Sequence, residues 1–447
     1  MGRLLISNAK IVNEGQITEG DVLIEQGRIA AIGVTPTRPE DQVLDAAGRY
    51  LLPGMIDSQS NYREPGLPLL ADMASESQAA VAGGVTSFLD LPDSVNGTTT
   101  LEQLQEKQQL AQGVLMPISA FIWGASRDNI ELIAALEPDQ ACAINVYMGG
   151  DVHDVRLLDD PDVLEQLFNR SPLMVAVHCE DMPTILENEE SYRGIYGDSI
   201  PVEFHPVIRS EEACQMSSRF ALELAGRCGT RLHVMQVSTA QEVEMLSDAG
   251  LDNKNISADV CAHFLHFADE DYAAKGALLK TNPAIKTAED RAGLIQGLMD
   301  GRLDLVSSGH APQDWEQKQE HSYFSIPSGM PMVQHALLAV LENYHSGIFS
   351  LEFIAEKTSH AVAELFDIQE RGYIREGYWA DLVLVDVESG GMATHSNSLS
   401  RCGWTPFDGY KFRSSIAATL VNGQLVWREG RLQDKGAVGQ ALLYRRS

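Results

Sequence analysis

The stretch Leu52-Pro53-Gly54-Met55-Ile56-Asp57-Ser58-Gln59-Ser60-Asn61-Tyr62-Arg63-Glu64-Pro65-Gly66 passes from an apolar run into a dense set of polar side chains. An apolar segment of this length reads as a strand buried on both sides, delivering its polar end to one face of a sheet. The same pattern recurs along the chain. Strands are predicted at Gly54–Asp57, Val85–Leu91, Pro117–Trp123, Cys142–Tyr147, Met174–His178, Arg231–Val237, Asn255–Cys261 and Leu303–Ser308. Helical runs lie between them at Leu70–Ala82, Pro161–Phe168, Glu211–Cys228 and Ala240–Ala249. Eight strands alternating with helices over roughly 260–310 residues predict an α/β (β/α)8 TIM barrel. An open doubly wound sheet is the competing architecture, but it leaves the polar strand ends without a common face.

Both ends of the chain have a different texture. Leu4–Val12, Asp21–Glu25 and Arg28–Ile32 are short strand candidates, with a turn at Gln26-Gly27, and Ala380–Asp386 is another. Thr419–Trp427 reads as a hairpin around Asn422-Gly423. The expected organisation is a small β-sandwich domain composed of residues 1–50 and 373–447, enclosing a barrel at 51–372.

The 447 residues are 44% hydrophobic and 21% charged, as in ordinary soluble domains. A net charge of −30 argues against nucleic-acid binding, which needs a basic face. No run approaches the ~18 apolar residues of a membrane span. Six scattered cysteines (Cys142, Cys179, Cys214, Cys228, Cys261, Cys402) form no C-x-x-C pair and suit reduced thiols. With no apolar leader at the N-terminus, the expected location is the cytoplasm.

In a barrel, polar residues at the C-terminal strand ends line the site. The residues placed there are Gln59, Asn61, Asp93, Asn145, His178, Gln236 and Gly309. His178 and Cys179 are adjacent on a strand and point to opposite faces, so they are not expected to act together as a thiol–imidazole pair. His233, His263 and His310 read as hydrogen-bonded supports near the mouth.

The segment Asp57–Gly66 resembles the D-x-H-x-H-x-R-E-P-G signature of dihydroorotases in the amidohydrolase superfamily. Further segments resemble that family in order: Leu52–Asp57, Ala82-Gly83-Gly84-Val85-Thr86-Ser87, Asn282-Pro283-Ala284-Ile285-Lys286, Ser328-Gly329-Met330-Pro331, and Gly372–Gly377 followed by Ala380–Asp386. The resemblance implies a binuclear zinc site of two histidines after strand 1, a carboxylated lysine on strand 4, histidines on strands 5 and 6, and an aspartate after strand 8. Ile144–Gly149 resembles F-K-x-F-M-G, Leu232–Thr239 resembles L-H-x-x-H-V-S-T, and Ser308–Gln313 resembles T-D-H-A-P-H. Through these matches the six ligand positions are Gln59, Asn61, Asn145, His178, Gln236 and Gly309. Only His178 keeps a ligand residue type. Amides are poor zinc donors and glycine has no side chain, so no metal cofactor is expected where active relatives hold zinc. The missing aspartate is also the family's general acid/base, so no catalytic residue is expected at Gly309.

The substrate pocket implied by the resemblance comprises Arg63, Asp93, Asn282, His310, Gln313 and Gly329. Asp93 replaces a carboxylate-binding Asn and is expected to repel a carboxylate ligand or to pair with Arg63, which would block the anion subsite. Taken together, these substitutions predict a dihydroorotase-like protein of pyrimidine biosynthesis that is catalytically silent, with a structural or regulatory role. The expected partners are a second copy in a homodimer and, by analogy with inactive dihydroorotase-like chains of some bacteria, aspartate carbamoyltransferase. Two alternatives stay open: a cyclic-amide hydrolase with a mononuclear or displaced metal, and a binding module for a small polar metabolite.

Overall fold

The structure, a computed structural model, describes residues 2–39, 41–92, 97–112, 118–149, 157–433, 436 and 439–444. The barrel strands are Met55–Ser60, Val85–Asp90, Ile118–Phe121 with Trp123–Gly124, Ile144–Tyr147, Val175–His178, Leu232–Met235, Ile256–Cys261 and Leu305–Ser307. All pair in parallel. The third strand is broken, so that Ile118–Phe121 pairs with the second strand and Trp123–Gly124 with the fourth. The barrel closes where Ser60 bridges His310 and the Asn61 amide donates to the His310 carbonyl at 2.9 Å. Every residue of Val85–Asp90 is buried, as a strand between barrel interior and helical jacket must be. Among the described residues no helix is long and apolar enough to cross a membrane.

Two predicted helices are shorter than their apolar patterns. The run expected from Leu70 begins at Met73, because Asp72 turns its carboxylate onto the Ser75 amide and acts as N-cap. The run expected at Ala240–Ala249 ends at Glu244; beyond it the Met245 and Leu246 amides reach back only three residues, to Glu242 and Val243. That short helix opens with a reciprocal capping box between Thr239 and Glu242. Thr239→Ala is expected to lower stability by about 1 kcal/mol, read as a shifted urea midpoint with unchanged slope.

Among the described residues, segments from both ends build one nine-stranded sheet. Leu382–Asp386 lies between Tyr50–Pro53 and Ser415–Val421, antiparallel to both. Leu4, Ile6, Ile24, Leu51, Leu382, Leu384 and Leu420 are buried together in its core. The expected Asn-Gly hairpin joins Ser415–Val421 to Gln424–Arg428, with Asn422 and Gly423 at φ of 48° and 72°. Its tip abuts the other expected turn: a Cβ on Gly423 would fall 2.6 Å from the Gly27 Cα. Asp381 accepts the Asn422 amide at 2.7 Å and an ion pair from Arg371, which fastens this tip to the sheet.

Candidate active site

The strand ends and following loops enclose a cavity of about 820 Å³ at the barrel mouth. Asn61, Arg63, His178, Gln236, Asn282, Gly309, Gln313 and Gly329 line it. Gln59, Asn145 and His310 are fully or nearly fully buried in the surrounding structure. Gln59 is the penultimate residue of the first strand rather than following it, because that strand runs on to Ser60. Asp93, with its expected pairing to Arg63, lies outside the described residues; Arg63 itself donates to the Pro312 carbonyl at 3.3 Å.

At the ligand positions implied by the resemblance the amides are tied into the protein. Gln59 donates through Nε2 to the Asp259 carboxylate. Asp259 also accepts the Gln236 backbone amide at 2.8 Å and faces His233 Nε2 at 3.0 Å, while Ser257 holds His233 Nδ1 at 2.9 Å. Asn61 Nδ2 donates to the His310 carbonyl at 3.0 Å, and Asn145 Nδ2 to the Ala176 carbonyl at 3.4 Å. The Oδ1 atoms of Asn61 and Asn145 are buried without a hydrogen bond. Asn282 Oδ1 and Glu180 Oε1 are likewise buried without a hydrogen bond, so the spare acceptors here are three amide oxygens and one carboxylate oxygen.

His178, the one retained imidazole, is engaged at both nitrogens. Gln236 Oε1 lies 2.8 Å from Nδ1 and Glu180 Oε2 lies 2.9 Å from Nε2. Glu180 is in turn held by Arg209 at 2.6 Å. This buried carboxylate suffers desolvation, but Arg209 and His178 more than offset it and hold the group down to about 2. Binding a metal through His178 therefore requires breaking one of two hydrogen bonds.

Gly309 sits at φ +63°, and a Cβ there would come within 2.7 Å of both Cys261 Sγ and His263 Cε1. The space a side chain at 309 would enter is thus filled by its neighbours. His263 is buried with neither ring nitrogen in a well-formed hydrogen bond, unlike the support role expected for it; its polar neighbour is the Ser308 backbone. Burial pushes its imidazole down to about 3. His310 follows expectation: Nδ1 accepts the Met332 and Val333 amides, and Nε2 lies 3.0 Å from the buried Glu76 carboxylate. Cys179 is buried, which raises its thiol well above the usual range and removes thiolate character.

Asp57 survives at the end of the opening motif, accepting from the Ser308 amide at 2.8 Å and the Ser308 hydroxyl at 2.5 Å. Burial outweighs those bonds and pushes its carboxyl up to about 6. Among the described residues no three His, Cys, Asp or Glu side chains gather as a metal-binding group. The donors at the six positions do not fit a binuclear zinc centre, whose bridging and terminal ligands are anionic or imidazole. Sequence reading missed Asp259, Glu180, Cys261, Arg209 and Lys280, which shape the site from other strands and loops. Of these only Glu180 carried a local signal, two residues beyond His178.

Comparison with known proteins agrees with the fold. The chain is 28% identical over 447 residues to an allantoinase of Bacillus velezensis, covering 98% of this chain and 97% of that one. It is 28% identical over 450 residues to a dihydroorotase of Methanosarcina mazei, with the same coverage. Among solved structures, the L-hydantoinase (dihydropyrimidinase) of Arthrobacter aurescens superposes with a TM-score of 0.93 at 23% identity, covering 99% of this chain and 100% of that one. The dihydropyrimidinase of Brevibacillus agri gives 0.89 at 23% identity over the whole of both chains. No family model matches the sequence.

Proposed function

We propose that this chain, dihydroorotase-, allantoinase- and hydantoinase-like within the amidohydrolase superfamily, has given up hydrolysis and kept the barrel as a structural or regulatory element of pyrimidine biosynthesis. Hydrolysis of a cyclic amide by this fold's metal route needs a water activated at neutral pH and a group to move its proton. The observation that carries the reading is at position 309. The general acid/base position is a glycine in a left-handed conformation, and Cys261 and His263 fill the space in front of it. The amide substitutions at Gln59, Asn61, Asn145 and Gln236 point the same way, since their oxygens are weak donors and most of their polar atoms are already bonded within the protein.

In this reading the protein acts through its surface and pocket, as a homodimer and as a partner of aspartate carbamoyltransferase. The partner rests on the family resemblance and is tested by co-sedimentation of the two purified proteins; separate boundaries at micromolar concentration remove it. The chemistry is tested directly. Elemental analysis of purified protein is expected to find zinc far below one per chain, and dihydroorotate, hydantoin and allantoin are expected to stay closed after prolonged incubation with added zinc. Stoichiometric zinc together with ring opening that a chelator abolishes would overturn the reading.

A further inference from the structure

The cavity wall is cationic in a chain of net charge −30. Among the described residues Arg63, Arg193, Arg209 and Lys280 line it with one carboxylate, Glu189, while Arg209 pairs with Glu180 behind the wall and Arg193 with Asp198. Lys280 is only 6% exposed, and its Nζ donates to the Tyr323 and Ile326 carbonyls at 2.6 Å each. An ammonium has three N–H donors, so two carbonyls leave one over. Behind it, the fully buried Lys318 donates to the carbonyls of Ala277, Lys280 and Pro327 at 3.1, 2.9 and 2.8 Å. Two buried lysines thus hold the backbone carbonyls of one loop, those of Tyr323 and Ile326 for Lys280 and that of Pro327 for Lys318. Keeping a cation out of water without a full counter-charge is costly. An anion entering the cavity supplies that charge.

We propose that this wall receives an anionic group, a carboxylate or phosphate of a small metabolite, through Lys280 and Arg209, with Arg193 at the lip. The proposal rests on the cavity remaining open to ligands once hydrolysis is lost, and it concerns a region apart from Arg63 of the opening motif. Arg209 is braced from one side by Glu180 at 2.6 Å. Arg193 stacks 3.8 Å from the Phe324 ring and is half exposed beside Asp198. Between Lys280 and Arg209 lies His205, whose Nε2 donates to the Thr281 carbonyl at 2.8 Å and whose Nδ1 accepts from the Tyr323 hydroxyl at 2.7 Å. That arrangement keeps His205 neutral, and burial with the two flanking cations lowers it further. The charged and titratable groups facing Lys280 are therefore Arg209, Glu189, His205 and Tyr323, whose ring centroid lies 4.2 Å from Nζ, with Lys318 behind it. Burial chiefly brings its ammonium down to about 7.

Titration calorimetry on the full chain tests this with succinate, inorganic phosphate and neutral succinamide. One of the two anions is expected to bind saturably with one site per chain, and succinamide is not. Succinate binding alone assigns an organic acid; phosphate binding alone assigns a phosphate ester. Lys280→Met and Arg193→Gln are each expected to weaken binding about tenfold or more, the loss of one charge-assisted hydrogen bond. Arg49→Gln on the terminal sheet is expected to change nothing. Arg193 sits at the lip, so its variant keeps the test sharp if Lys280→Met fails to fold. Affinity for succinate should also fall as pH rises above about 7, approaching tenfold per unit as Lys280 loses its proton. Absence of saturable heat with either anion, or anion affinity unchanged in Arg193→Gln and in every folded Lys280 variant, overturns the site. Neither outcome bears on zinc content or turnover, so this proposal and the loss of hydrolysis fail separately.

Discussion

Gly309→Asp, which places an aspartate where the resemblance to dihydroorotases puts an acid/base residue, is expected to unfold the barrel mouth. A non-glycine residue at φ +63° costs about 1–2 kcal/mol. The new Cβ would then meet Cys261 Sγ and His263 Cε1 at 2.7 Å, and overpacking of this kind costs about 1–3 kcal/mol. The added carboxylate also enters a buried region that already holds Asp57 and Asp259. A loss of about 3–5 kcal/mol is expected, a large share of a typical domain's stability. Urea unfolding would measure it. Trimming the neighbour, as Gly309→Asp with His263→Ala, should recover part of the loss, because the two positions contact each other. A wild-type midpoint with stoichiometric zinc in the single variant would show that the space is open and the site only one residue from function.

Acid is expected to denature the protein more readily than its carboxylate content alone suggests. His263 is pushed down to about 3 and His335 to about 4, each by burial. His205 lies well below the free imidazole value for the same reason, with Lys280 and Arg209 adding to it. In each case the folded state binds fewer protons than the unfolded chain, so the stability is complete above the unfolded value of 6.5 and is lost as pH falls below it. Between pH 6.5 and about pH 4 His263 and His335 each give up about 3 kcal/mol, and His205 loses in the same direction. Asp57 acts in the opposite sense. Its folded value of about 6 lies above the unfolded 3.8, so it adds stability as pH falls through that window, as do Glu242 and Glu211, both raised by burial. Against them stand His263, His335, His205 and His266, the last pushed down to about 4 by burial. Below pH 4.5 the Arg209-held Glu180 joins the losses, since its carboxylate is stabilised in the folded state. The expected observation is a cooperative loss of near-ultraviolet circular dichroism between about pH 6 and pH 4, delayed to lower pH in His335→Gln. A flat urea midpoint across that range would mean the rings are not held neutral.

The barrel was legible because its strands are apolar runs ending in polar residues, and the motif order carried the ligand positions onto Gln59, Asn61, Asn145, His178, Gln236 and Gly309. What those residues do instead was not legible. Gln59 meets Asp259 from 200 positions away, and Cys261 and His263 reach Gly309 from the end of the neighbouring strand; nothing in local spacing signals such encounters. The same limit hid the cationic wall, since Arg209 and Lys280 sit in separate loops with no motif of their own. Helix ends were misread where a cap or a tightened turn, rather than apolar periodicity, set the boundary, as at Asp72 and Glu244.

The sheet shared by the two ends has a consequence for synthesis. Leu382–Asp386 is the strand that joins Tyr50–Pro53 to Ser415–Val421, so the strands translated first gain their inner neighbour only after more than three hundred further residues have been made. A ribosome stalled anywhere inside the barrel leaves Tyr50–Pro53 with one edge open to pairing with other chains. Emergence of Leu382–Asp386 is therefore the step that covers this edge against pairing with other chains.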